Sequence, residues 1–381
     1  MDVLPKAVKM FQQAGQLIPP KNDLGTIMQI IFSLVFFIYL FYAQRIQTMM
    51  MLKQVEGALL RLKAIRDEGR RVALKAVREV GKPKEDPAPR IDQILEQFMI
   101  TPVDLDPTGV VWKLDKIVNV RETRFEEDVR TIAPEANEWE IHNLENLLEA
   151  AMALNSIYKI IRHYFILGKK TMNLYIIMQV QMVLPMILQE VEAYSSALQA
   201  FTQGTPIGDG AGALVAAKIM WGHQWRTIAK DTVVAEVPFE GRTLLVVKAK
   251  GPGGNVGKPG DAVRNLIEER GGKVSKIIMI DAAAKLEGEE LGSIAEGVGA
   301  AIGGLGVEKY KIEEVALKYN LPLYAIAIKE DIKDVVAPMK EAIFNGAEKA
   351  VEAVKRFVRE RTEEGEVIIV VGVGNTVGIA Q

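Results

Sequence analysis

The stretch from Leu24 to Ala43, LGTIMQIIFSLVFFIYLFYA, runs twenty residues without a charge and constrains the chain more than any other feature. At about 1.5 Å rise per residue, a helix of this length matches a hydrocarbon core about 30 Å thick. Phe, Ile and Leu point in every direction around such a helix, so a core that covers one face would leave the rest in water. Tyr39 and Tyr42 stand near its end and Arg45 follows at once, the order expected where amphipathic rings and a snorkelling cation meet headgroups. A secretory signal fits less well, because the apolar stretch exceeds the usual h-region and no small-x-small cleavage site follows. The reading is a retained transmembrane helix with Leu24, Phe36, Phe37, Tyr42 and Arg45 as its anchor residues.

The flanks set the orientation. Lys6, Lys9 and Lys21 precede the span, offset by Asp2 and Asp23, whereas Arg45, Lys53, Arg61, Lys63, Arg66, Arg70, Arg71 and Lys75 follow it. The positive-inside bias places the C-terminal body in the cytosol and residues 1–23 outside, a single-pass protein of the cell membrane whose first partner is the lipid bilayer. Within 1–23, Val3, Leu4, Ala7, Val8, Phe11 and Leu17 share a helical face, which allows a short interfacial helix.

Beyond the span, residues 44–80 carry apolar side chains at helical spacing with a basic polar face, an amphipathic juxtamembrane stalk. GKPKEDPAPR, 81–90, reads as a linker, and 91–230 as a mainly helical oligomerisation domain. Residues 110–132 alternate enough to allow strand or helix. Pro134 opens a long helix with acidic residues first and basic residues last, in keeping with the helix dipole. Asp104 and Asp106, in an Asp-x-Asp-Pro turn, lack a third ligand nearby. His142 and His163 lack HExxH spacing, so no metal site is expected. Residues 171–188 are also uncharged, and a second span is the alternative there. Asn173, Gln179, Gln181 and Pro185 argue instead for a helical hairpin buried by homo-oligomerisation.

Chemistry concentrates after residue 200. GTPIGDGAG reads as a flexible loop holding Asp209 between two glycines, and His223 between two tryptophans as packing. From 231 to 381, a hairpin around EGR is followed by alternating helices and strands, an α/β domain with a mainly parallel sheet. Two loops share GxGxxxG spacing: Gly251, Gly253 and Gly257, then Gly372, Gly374 and Gly378, with Asn375 inside the second. Each follows an apolar strand, where free amides cradle a phosphate or carboxylate; Lys258 adds a positive charge, and Asp281 ends the next strand. The Walker spacing fails and the dinucleotide fingerprint has one residue too many. Gly299 and Gly303 form a small-residue spacing that allows close packing of a helix. No cofactor is evident from the sequence.

Composition narrows the classes. Lys plus Arg number 47 against 49 Asp plus Glu, so the net charge of -2 offers no general reason for a nucleic-acid partner. Cysteine is absent, which removes disulfides, thiolate metal sites and cysteine nucleophiles.

The span, the stretch QFMITPVDLDPTGVVWKLDKI, the loop TPIGDGAGALVA and the loops GPGGNVGKPGDAV and GVGNTVGIA together resemble a family of archaeal membrane-anchored proteins of unknown function. The resemblance covers nearly the whole chain. It implies a membrane address and supplies no catalytic residues. The expected architecture is thus a membrane-anchored α plus α/β protein with a transmembrane helix, stalk, helical middle and glycine-loop domain. Its expected role is a self-associating scaffold or regulatory protein with a small anionic ligand. The alternative is a tethered enzyme acting on a nucleotide or phosphorylated substrate, with Asp209, Asp281 or Lys258 in acid/base roles.

Overall fold

In the computed structural model, which describes residues 23–103 and 109–381, the apolar stretch and the amphipathic pattern behind it form one helix, α1, Asp23–Ala76. A π turn, Val77–Gly81, ends it, with Lys82 in the left-handed region. The interfacial helix expected before residue 23 and the turn at Asp104 and Asp106 lie outside the described residues. The linker is shorter than 81–90. Helix α2, Ala88–Ile94, starts inside it, because Pro89 falls in the first helical turn, where its missing N–H is not needed.

Residues with an ambiguous pattern resolve as α3, Val110–Ile132. Helix α4, Glu138–Thr171, begins a few residues later than Pro134 because Asn137 and Glu140 cap it reciprocally. The Glu140 amide donates to Asn137 Oδ1 at 3.0 Å, and the Asn137 amide to Glu140 Oε2 at 2.8 Å. Met172, with φ of 50°, turns the chain into α5, Leu174–Gln203, whose first turn is capped by Asn173.

The chain packs as two units. The described residues of the first are 23–60 and 160–185. Here Leu52, Val55, Ile161, Phe165, Ile177 and Val180 are buried. The side-chain amide of Gln181 donates to Gln54, so one of the amides that argues against lipid has a partner. Leu24, Ile31, Leu34, Phe37, Tyr42, Tyr175 and Met182 remain exposed. By length and apolar composition, Leu174–Gln203 is able to cross a membrane alone, and Leu24–Leu40 with Tyr42–Gly81 as one span bent by 48°.

The second unit, residues 61–159 and 186–381, contains a seven-stranded sheet. Its strands are β1 Trp225–Ala229, β2 Thr232–Phe239, β3 Arg242–Ala249, β4 Lys276–Ala284, β5 Ile294–Val298, β6 Leu323–Glu330 and β7 Val367–Gly372, in the spatial order β1-β2-β3-β7-β4-β6-β5. The expectation of a mainly parallel sheet is corrected. Only β3, β7, β4 and β6 run parallel to one another, whereas β1, β2 and β5 pair antiparallel, so the sheet is mixed. Strand β5, IAEGV, is a mostly exposed edge and lacks the apolar run that marks a buried strand. Gly299 and Gly303 follow it in a loop with open space around them rather than in a close-packed helix.

Helices α6 (Ala211–Met220) and α10 (Glu341–Arg361) cover one face of the sheet, and α7 (Pro259–Glu269) and α8 (Val307–Lys318) the other. Alternate strand residues divide between the two cores: Leu244, Val246, Ile278, Ile280, Ile368 and Val370 against Leu245, Val247, Ile277, Met279, Ile369 and Val371. Burial on both faces explains the unbroken apolar runs LLVV, IIMI and VIIVV. A short helix, α9, Ile332–Val335, links β6 to the segment before α10.

Candidate functional site

The two glycine loops lie at the carboxyl ends of neighbouring parallel strands, β3 and β7, and are bound to each other. The Thr376 amide donates to the Asn255 carbonyl at 3.0 Å, and the Gly378 amide to the Pro252 carbonyl at 2.9 Å. Helix α4 adds two asparagines. The Gly254 amide donates to Asn143 Oδ1 at 2.9 Å, while Asn146 donates to the Gly254 carbonyl and accepts from Asn375 Nδ2 at 2.7 Å. The amides of Gly254, Thr376 and Gly378 are thus engaged by the protein itself. The glycines serve close approach: a Cβ on Gly374, where φ is 125°, would stand 1.8 Å from the Asp209 carbonyl, and one on Gly251 1.7 Å from the Ile379 carbonyl. Gly253 and Gly372 meet the backbones of Trp139 and Gly212 in the same manner.

A cavity of about 420 Å³ opens beside these loops, walled by the starts of α7 and α8 and by α3. Of the residues singled out in the sequence, Asp209, Gly257, Lys258, Asp281 and Gly374 line it, while Gly251, Gly253, Gly372 and Asn375 stand back. The place follows from topology. The chain leaving β4 reaches α8 on one face after the edge strand β5, and that leaving β6 reaches α10 on the other, and open α/β sheets take ligands at the carboxyl ends of strands whose connections part to opposite faces.

Asp209 sits in the 3-10 turn Gly208–Gly210, which is packed in place rather than flexible. Its Oδ2 accepts from the Asn375 amide at 2.8 Å, and burial raises its pKa. Asp281 Oδ1 accepts from the Ala282 amide at 2.8 Å. Burial first, and the charge of Asp209 second, raise the Asp281 pKa to about 7, so near neutrality this carboxyl exchanges its proton readily. Lys258 lies with its Nζ 2.7 Å from Glu122 Oε2, so its charge is neutralised by α3.

The sequence reading passed over several buried or paired charges of the α/β domain. Glu330, the last residue of β6, is fully buried with neither carboxylate oxygen hydrogen-bonded among the described residues. Burial and then the charges of Asp209, Asp334 and Asp281 push its pKa up to about 8. Asp334 Oδ1 pairs with Lys340 Nζ at 2.7 Å. Lys248, buried in β3, donates to the Ala249 carbonyl at 2.8 Å, and burial lowers its pKa to about 8. A signal existed, since Lys248 and Glu330 are charges inside or at the end of strands that are otherwise apolar. Glu308 and Lys311 had no such mark. Glu308 Oε2 accepts from the Gly260 amide at 2.7 Å, and Lys311 Nζ lies 3.1 Å from each of Asp115, Asp261 and Glu308.

Two family models match the chain: residues 29–204 match one described as Protein of unknown function (DUF1512) N-terminal domain, and residues 207–380 one described as Domain of unknown function (DUF1512) C-terminal. The second match begins just before Asp209 and takes in α6, which packs on the sheet. No curated protein and no solved structure matches the chain.

Proposed function

The chain belongs to the DUF1512 family, and from that premise we propose that it is a membrane-tethered, self-associating protein whose α/β domain binds a small polar molecule in the cavity at the carboxyl edge of the sheet. The observation that carries this reading is the convergence of Asp209 and Asp281, both of raised pKa, on one cavity large enough for a metabolite. Its walls favour a ligand that offers hydroxyl or amine donors over a free phosphate, because Asp115, Glu122 and Glu308 also line it and Lys258 is already paired. The uncharged segment 24–43, whose side chains are largely exposed, supports the tether, and the basic residues that follow support a cytosolic body. Tyr175, Met182 and Met186, all exposed, support self-association.

A second reading, an enzyme that moves a proton with Asp281, is favoured by the pKa of about 7 on that residue. Both readings meet the same first test. Thermal unfolding of the detergent-solubilised full chain is followed against amines, polyols, nucleotides and phosphorylated metabolites, with Asp281→Asn alongside. An amine- or hydroxyl-rich compound should stabilise the wild type and not the variant. Absence of any stabilised condition, or stabilisation by phosphorylated compounds alone in both proteins, would sink the ligand assignment. Light scattering of the same preparation should find more than one chain per particle, and a monodisperse single chain removes self-association.

A further inference from the structure

Glu138, His142 and Asp231 each bring one ligand atom to a common point, all within 4.8 Å of one another. Glu138 and His142 are four residues apart on α4 and so share a face one turn apart. Asp231 comes from the two-residue turn between β1 and β2. It adopts φ of 49°, a left-handed conformation that Asp tolerates better than most residues. We propose that these three residues form a binding site for a divalent transition-metal cation of the zinc class, none of them lining the cavity that holds Asp209 and Asp281.

Three features carry the assignment. His142 Nδ1 is 3.0 Å from Glu145 Oε2, and in the neutral tautomer that donates from Nδ1 to this carboxylate the lone pair of Nε2 is left for a cation. Nε2 in turn stands 3.9 Å from Asp231 Oδ1, beyond hydrogen-bond reach. Donors held about 2.1 Å from one cation stand on the order of 3–3.5 Å apart, so the His142–Asp231 pair at 3.9 Å needs a small closure and Glu138, within 4.8 Å of both, a larger side-chain movement to complete the site. Two carboxylates and a neutral imidazole also balance a dication, and the oxygen and nitrogen donor set suits zinc, manganese or cobalt.

The neighbourhood fits an open site. His142 and Asp231, with Glu145 and Asn146, line a second cavity of about 280 Å³, which leaves room for a fourth ligand such as water or a substrate oxygen. Lys250 Nζ lies 3.1 Å from Glu138 Oε2, and its side chain, 34% exposed, is free to swing away from that carboxylate. The linear spacing of the histidines hid this site, because the third ligand arrives from a hairpin far along the chain.

The test uses tag-free full-length protein in detergent, stripped with a chelator and titrated with cobalt(II) and then zinc(II). One cobalt per chain should bind with a visible d–d absorption and be displaced by zinc. X-ray absorption of the zinc-loaded wild type should find one imidazole among oxygen donors, a specific count because the chain has 3 histidines. His142→Ala and Asp231→Asn should abolish stoichiometric binding, Glu145→Gln should weaken it about 10–100-fold, and His163→Ala should leave it unchanged. Failure of the wild type to bind stoichiometrically, binding that survives His142→Ala, or a first shell with no imidazole or with several, overturns the assignment. The X-ray absorption result stands on the wild type alone, so a variant that does not fold leaves it decisive. Metabolite stabilisation that depends on Asp281 reports on the other cavity and is independent of this outcome.

Discussion

The backbone amide of Asn375 donates to the Asp209 carboxylate at 2.8 Å across 166 residues of sequence, joining the turn ahead of α6 to the loop after β7. The bond satisfies a buried donor and fixes one acid of the cavity. Asp209→Ala leaves that amide without its acceptor and should cost about 1–3 kcal/mol in urea denaturation. Asp209→Asn keeps an acceptor while removing a charge that burial disfavours, and should be as stable as the wild type or more so. An alanine variant of undiminished stability would mean that the bond holds nothing in place.

How much of this was legible in the sequence divides by the range of the interaction. The parallel strands announced themselves through unbroken apolar runs, and the glycine loops through spacing. Even Asp209 and Asp281 were visible as acids beside glycine or at the end of a strand. Glu330 stood in view as a charge ending an apolar strand, and only its burial was hidden. Glu308 and Asn146 were not visible, because each acts through a partner that only the fold brings near. The same cause hid the pairing of Glu138 and His142 with Asp231 and the edge strand β5. In the glycine loops the amides of Gly254, Thr376 and Gly378 bond within the protein. Spacing reports that a side chain is excluded and leaves open whether a ligand or the protein's own backbone excludes it.

Titration should show opposite signs at the two kinds of buried charge. Asp281 and Glu330 have folded-state pKa values of about 7 and about 8, above their ordinary values. The stability they contribute is complete below about pH 4 and is lost as pH rises through 7 and 8. Glu330→Gln should therefore exceed the wild type by about 2–4 kcal/mol at pH 9 and converge with it near pH 4. Lys248 behaves in the other direction, since its folded pKa of about 8 lies below the ordinary one. Lys248→Met should be more stable than the wild type below pH 8, with the advantage shrinking towards pH 10.5. Denaturation midpoints taken across pH 4–10 check both, and parallel curves for wild type and variants would refute them.

Close approach predicts a graded response at glycine. Gly374→Ala places a Cβ against the Asp209 carbonyl at positive φ and should cost about 3 kcal/mol. Gly299, with φ of 105° and open space around it, should lose about 1 kcal/mol on the same change, from backbone strain alone. Melting temperatures of the two variants test the order, and equal losses would show that crowding at Gly374 is relieved by a backbone shift.

Because the chain contains no cysteine, single cysteines offer a clean test of which helices cross the bilayer. Gly57, exposed on α1 beyond the uncharged segment, and Glu287, exposed after β4, bracket α5. If only 24–43 spans, both positions lie on the same side, and an impermeant maleimide applied to sealed vesicles labels both variants or neither. If Leu174–Gln203 also crosses, one variant labels and the other does not, and the α/β domain changes side. The basic residues from Arg45 to Lys75 favour the first outcome, with both positions protected in right-side-out vesicles. Ile31→Arg and Leu34→Arg complete the argument. Each puts a cation near the middle of the span at about 2.5–3.5 kcal/mol by insertion scales, so the double variant should leave the membrane fraction. Membrane retention of that double variant, with labelling unchanged, would place the anchor elsewhere in the chain.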